Sequence, residues 1–166
     1  MSNVRQGVNP TNEIEFGVCI TGRPADTEME TAEYTTVKDA EGLSISIDGK
    51  VEEWNPMDMH GWVRRLMTAK SLSISMGGKR NYGDAGNDYV ASLAYKMGQD
   101  VNSAMKITFP NGDCLIMPCV INTTSLAGDS TAIEALEWEA LSDGRPVYVP
   151  YKAIKQYYTE IKGGGH

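Results

Sequence analysis

The chain has 166 residues, 41% hydrophobic and 22% charged, a composition that supports one domain with a buried core and excludes a disordered chain. Its formal net charge of −7 and isoelectric point near 4.8 argue against a protein that grips nucleic acid through its phosphates, while leaving an acidic surface that DNA would slide past. No apolar run approaches the roughly 20 residues that cross a bilayer, and the polar start lacks the apolar stretch of a signal peptide. No membrane insertion is therefore expected, and synthesis in the cytoplasm is the default.

The N-terminal stretch 1–13 carries Gly7, Pro10 and several amides without hydrophobic periodicity, and reads as an arm. The β domain is expected over 14–149. Ile14, Phe16, Val18 and Ile20 alternate with other residues at the period of a half-buried strand. The pattern then vanishes over 23–41, a long aperiodic loop of the kind that binds something or orders on contact. Leu43, Ile45 and Ile47 alternate again, and Asp48-Gly49 precedes a second run ending at Trp54. A two-residue hairpin there would set Lys50 and Glu52 opposite Ile47 and Ile45, so a bulge or longer turn is the better expectation.

After Asn55-Pro56, the region 62–76 is extended, with Leu72, Ile74 and Met76 alternating with serines until Gly77-Gly78 is expected to break it. The cap and turn residues of 81–88 announce a helix over 85–97, with Tyr89, Val90, Leu93, Ala94 and Met97 on one face and Gly98 as the stop. Strands follow at 105–109, 114–123 and 131–141, separated by the Pro110-Asn111-Gly112-Asp113 turn. In the last strand Leu136 and Trp138 share one face, Glu137 and Glu139 the other. Trp54, Trp62, Tyr89, Leu93, Met97, Leu136 and Trp138 are the expected core-packing residues. A C-terminal extension, 150–166, ends in Gly163-Gly164-Gly165-His166, which looks like a linker or tag scar.

Residues with chemistry are few and scattered. Cys19, Cys114 and Cys119 are an odd number, best read as reduced thiols, and their spacing fits no zinc site, so no metal or cofactor is expected. His60 lies in a turn-rich segment with no nucleophile motif around it. Met76-Gly77-Gly78-Lys79-Arg80 lacks the spacing of a phosphate-binding loop, and Asp84-Ala85-Gly86-Asn87-Asp88 lacks the alternate oxygens of a calcium loop. Glu134, Glu137 and Glu139 lie along one strand rather than across a cleft, so paired acid and base work is not indicated. An enzyme is not expected.

Several ordered blocks carry a resemblance instead. They are Val51-Glu52-Glu53-Trp54-Asn55-Pro56-Met57-Asp58, the run from Gly61-Trp62 to Lys70, Gly83-Asp84-Ala85-Gly86-Asn87-Asp88-Tyr89-Val90, Phe109-Pro110-Asn111-Gly112, Gly128-Asp129-Ser130-Thr131 and Ser142-Asp143-Gly144-Arg145-Pro146. Together, over 14–149, they resemble the major tail tube proteins of tailed bacteriophages of Gram-positive hosts, phage-derived tail-like particles included.

The resemblance implies a mainly β fold of two packed antiparallel sheets, a tail-tube β-sandwich or barrel, with one flanking α-helix and extended arms. It implies a structural protein of the virion tail, six copies to a ring and rings stacked into a channel for DNA, which passes without sequence-specific binding. The loop 23–41 and the arms would make contacts between rings, ordering when a neighbouring ring is present. Glu137 and Glu139 are lumen candidates. Other tail proteins, such as the tape measure, tail terminator and baseplate, are the implied partners besides the chain itself. A tail-associated or secreted β-sandwich that binds a host surface is the alternative.

Overall fold

In the computed structural model, which describes residues 6–151, strand β1 (Glu15–Val18) is followed by β2 (Ala40–Trp54), β3 (Arg64–Lys79), helix α1 (Ala85–Ser92), β4 (Asn102–Thr108), β5 (Cys114–Ala127), β6 (Ala135–Ser142) and β7 (Val147–Val149). All pair antiparallel in one seven-stranded sheet of order β1-β4-β5-β6-β3-β2, with β7 also pairing β5. The mainly β expectation with one flanking helix holds, but there is one sheet rather than two packed sheets. It closes over itself: Ile14 and Phe16 beside one edge line the same cleft as Ala40 and Leu43 on the other, and all four pack on one core.

That core is the face presented by Val18, Ile74, Met105, Ile107, Met117, Ile121, Leu136 and Trp138. The register explains its composition, because directly opposed residues point to the same side of an antiparallel pair. Ile74 pairs with Ala140 and Met76 with Trp138 across β3 and β6, and Met105 pairs with Met117 across β4 and β5. Burying such side chains yields about 1.5–3 kcal/mol each.

Asp84 starts α1, its carboxylate accepting the Asn87 amide at 3.0 Å as an N-terminal cap. The helix is shorter than the sequence suggests. It gives way to a 3-10 turn at Leu93–Tyr95, where the Ser92 hydroxyl donates to the Tyr89 carbonyl at 2.6 Å and competes with the helical pattern. Leu93 is buried and Tyr89 half-buried, but Met97 lies beyond the turn in extended backbone and is 82% exposed, so it is no core residue.

Trp54 and Trp62 are also corrected. β2 and β3 run on past the last β3–β6 pair, Ser73 with Leu141, so among the described residues the outer half of their hairpin has no further strand beside it and no core beneath it. Trp62 is 75% exposed, and Trp54 is exposed under the Arg64 guanidinium, 5.5 Å from its ring centre. The irregularity near Asp48-Gly49 is a bulge, a register shift between Lys50 and Val51 within one continuous strand. Gly77-Gly78 does not break β3, which continues to Lys79.

The loop 23–41 makes extensive contacts within its own subunit. Val18 and Thr35 exchange amide hydrogen bonds at 2.9 and 2.8 Å, Val37 enters the main core, and Met29 joins Cys19, Ala104 and Ile116 in a smaller core on the sheet's other face. Arg23 donates to the carbonyls of Ser103 and Cys119 and pairs with Asp143 at 2.7 Å. The expected arm is described from residue 6, and most of the C-terminal extension lies outside the described residues.

Candidate assembly surfaces

Three surfaces converge on the β5-β6-β3-β2 half of the sheet. The first is its face opposite the core. Ser44 and Ser46 pair with Ser75 and Ser73, and Ser75 pairs in turn with Glu139. Asn122 and Ser125 of β5 pair with Glu139 and Glu137. Alternation puts all of them on the side away from Ile74, Leu136 and Trp138. The result is a four-strand floor made mostly of short polar side chains, with Leu141 and Val120 at one end of it and Glu137, Glu139 and Asp48 as its acidic groups. Glu139 is steadied by the Asn122 amide at 2.9 Å. At its margin Lys79 is partnered by Glu41 at 3.6 Å and Lys50 by Glu52 at 3.2 Å, so the basic groups there are matched.

The second surface is the projecting hairpin. Besides Trp54 and Trp62, it exposes Ile47, Val51, Met57, Leu66 and Met67. Apolar exposure of this extent on one element marks an interaction surface rather than scattered surface residues. Glu53 and Arg65, paired at 2.7 Å across the strands, hold its outer rungs.

The third is a pair of strand edges. Among the described residues β2 has a partner only on its β3 side, and β5 beyond Val120 has lost β4, whose pairing ends at Asn102 with Val120. Unpaired edges invite strand addition from another chain. Sequence reasoning missed both edges, because alternation reports which face is buried and not which strand is outermost.

Candidates for chemistry are not brought together. Among the described residues no three histidine, cysteine or acidic side chains are placed to hold a metal ion. His60 sits exposed at the hairpin tip in left-handed backbone, Cys19 and Cys119 are buried free thiols and Cys114 is half-buried. Burial pushes the Cys119 thiol up to about 12, with the Arg23 guanidinium acting against it, so it is no nucleophile at neutral pH.

Comparison of the whole fold with known structures is decisive for the architecture. The chain shares its fold with chains of gene transfer agent particles. It superposes on a chain in the tail of an empty gene transfer agent particle refined with C6 symmetry, at a TM-score of 0.66 and 15% identity, covering 86% of this chain and 99% of that one. A chain in the virion of a native gene transfer agent particle gives a TM-score of 0.64, again at 15% identity with the same coverage of both chains. No protein-family model matches the sequence, and no curated protein matches it. The likeness therefore lies in the fold, and the arrangement of surfaces must carry the function.

Proposed function

We propose that the chain is a structural subunit of a tail tube, assembling into six-membered rings that stack into a channel for DNA. The observation that carries this reading is the half-sheet with one hydrophilic face, one core face and an unpaired edge on each side. In a ring, the β2 edge of one copy adds to the free edge of β5 in the next, and the edges disappear into a continuous barrel. The serine and glutamate floor then becomes the inner wall. The projecting hairpin covers its apolar residues against a neighbouring copy, in its own ring or the adjacent one. Residence in the virion tail, and contacts with tape measure, terminator and baseplate proteins, follow from the same reading. The likeness to chains of particles that contain tails supports it.

Negative-stain microscopy of the purified chain at rising concentration, with and without a tail-initiating partner, tests the proposal. Rings or tubes with six-fold averages are expected, and a chain that stays monomeric under all these conditions overturns it. Exposed Trp62 on a hairpin tip suits the alternative of a host-surface binding module. Monodisperse protein that binds host envelopes, with binding lost in Trp62→Ala, would select that reading instead.

A further inference from the structure

The sheet forks. β6 fills the place between β5 and β3 as far as Ser142, and β7 then continues along β5, Val147 pairing with Ile116 and Val149 with Cys114. β3 does not follow it. Its last pair with β6 is Ser73 with Leu141, and the amide of Leu72 donates to the Ser142 hydroxyl at 3.0 Å in place of a ladder bond. Among the described residues the β6-side edge of β3 over 64–72 therefore has no strand beside it.

Between the two branches lies a cleft of about 1030 Å3, walled by Ile47, Leu72, Phe109, Leu115, Pro146 and Tyr148, with exposed Lys70 and Arg145 also lining it. Ile47 and Leu72 oppose each other one rung beyond Ile45 and Ile74 on the same side, so they continue the core face. Ile47 is nonetheless 67% exposed. The charge along β3 here is of one sign: 64–72 holds Arg64, Arg65 and Lys70 and no acidic residue. Arg64 lies over Trp54 and Arg65 is matched by Glu53. Among the described residues neither Lys70 nor Arg145 is paired with an acid.

The period of a strand fixes what could lie along this edge. The Leu72 amide points into the fork, so Lys70, two residues before it, presents its own N–H and C=O there and carries its side chain on the same face as Leu72. An antiparallel strand added here would exchange both backbone bonds with Lys70. Its residue opposite Lys70 would meet an ammonium, and the residue two positions away would meet Leu72 and the apolar cleft.

We propose that the fork between β3 and β7 is a docking site for an extended segment of a partner protein, added along β3 with an acidic side chain opposite Lys70 and an apolar one opposite Leu72. Strand addition supplies main-chain bonds, while Lys70 and the cleft select the side chains. A different protein suits the site better than a second copy. The free edges another copy could offer, 43–47 of β2 and 121–127 of β5, contain no acidic residue. The inference stands apart from the tail-tube reading, which uses the edges of β2 and β5 and leaves this one open.

The test is an amide NMR titration of the full chain, at a concentration where sedimentation shows one copy. The probe is the peptide acetyl-Thr-Phe-Thr-Glu-Thr-amide, and the same peptide with lysine in place of glutamate is the control. Saturable shifts are expected at Lys70, Leu72, Leu115 and Tyr148, with nuclear Overhauser contacts from the peptide phenyl ring to Leu72 or Leu115. The lysine peptide should bind about fivefold more weakly. Lys70→Glu should reverse that preference, whereas Lys50→Glu, which by its pairing with Ala69 lies on the opposite face, should leave it unchanged. Failure of the glutamate peptide to bind saturably, or equal binding of the two peptides, overturns the proposal. Shifts at the same residues that follow protein concentration without any peptide also overturn it and give the fork to a second copy.

Discussion

Asn87 is buried and uses its side chain in full. It accepts from the Arg80 guanidinium and the Asn81 amide and donates to the carbonyls of Lys38 and Lys79. One residue at the start of α1 thus ties the end of β3 to the loop before β2. Gly86 beside it has no room for a side chain, since a Cβ would stand 2.4 Å from the Thr36 carbonyl oxygen. The sequence shows this segment only as cap and turn residues, because long-range hydrogen bonds leave no local period. Leu93 is more legible: helical spacing marks it, and it is 2% exposed. Leu93→Ala should cost roughly 2–5 kcal/mol, measured by urea denaturation, while Tyr95→Ala on the exposed side of the following turn should leave stability within about 0.5 kcal/mol.

Ionisation adds a prediction at the same scale. Burial, together with the neighbouring thiols, pushes the Tyr34 phenol up to about 12, the value burial also gives Cys119. In the unfolded chain these groups ionise near about 10 and about 8.5. The unfolded state therefore sheds protons first, and the stability these groups contribute is complete below about pH 8.5 and lost as pH rises towards about 12. Denaturation midpoints should fall over that window. Cys119→Ala should decline less steeply between about pH 9 and 11 than the parent, and equal slopes would remove Cys119 from the effect.

Elements whose residues alternate strictly are read well from sequence, and their ends are read poorly. Ile74 and Met76 mark β3, yet its continuation through Gly77 and Gly78 depends on Asp39, whose carbonyl oxygen would stand 2.2 Å from a Cβ at Gly78. A glycine that looks like a stop is there to admit a neighbouring backbone. Trp54 and Trp62 mislead in the opposite direction. Large aromatics suggest a core, and only the length of β2 and β3 relative to β6 shows that the hairpin outruns it. Replacing Trp62 and Leu66 with serine should therefore leave the subunit's thermal midpoint nearly unchanged while removing ring and tube formation. Sedimentation and microscopy on the same preparation check both halves, and a large fall in the midpoint would return these residues to the core.

For the whole molecule, sequence separates Leu136 and Trp138 from Glu137 and Glu139 by alternation, but not whether the glutamates face bulk water or a shared channel. The structure puts them on the serine floor of β5-β6-β3-β2, away from the core. If that floor lines a channel, their charge is repeated in every copy and repels passing phosphates. Glu137→Lys with Glu139→Lys should still permit tubes but slow DNA ejection, most strongly at low salt where screening is weakest. Unchanged ejection kinetics in tubes proven to carry both substitutions would take the pair out of the channel.

The half-sheet also has a parity. Its strands alternate in direction across β5, β6, β3 and β2, and because the number is even, the two outer strands run opposite ways. Any copy laid against the next, β2 to β5, therefore meets it antiparallel, and the alternation continues around a ring of any size without one parallel seam. An odd count would have forced such a seam at every boundary. Strand polarity thus permits closure but does not count the copies. In the proposed ring that number is left to the angle at which each copy meets the next, a matter of bulges, twist and hairpin contacts.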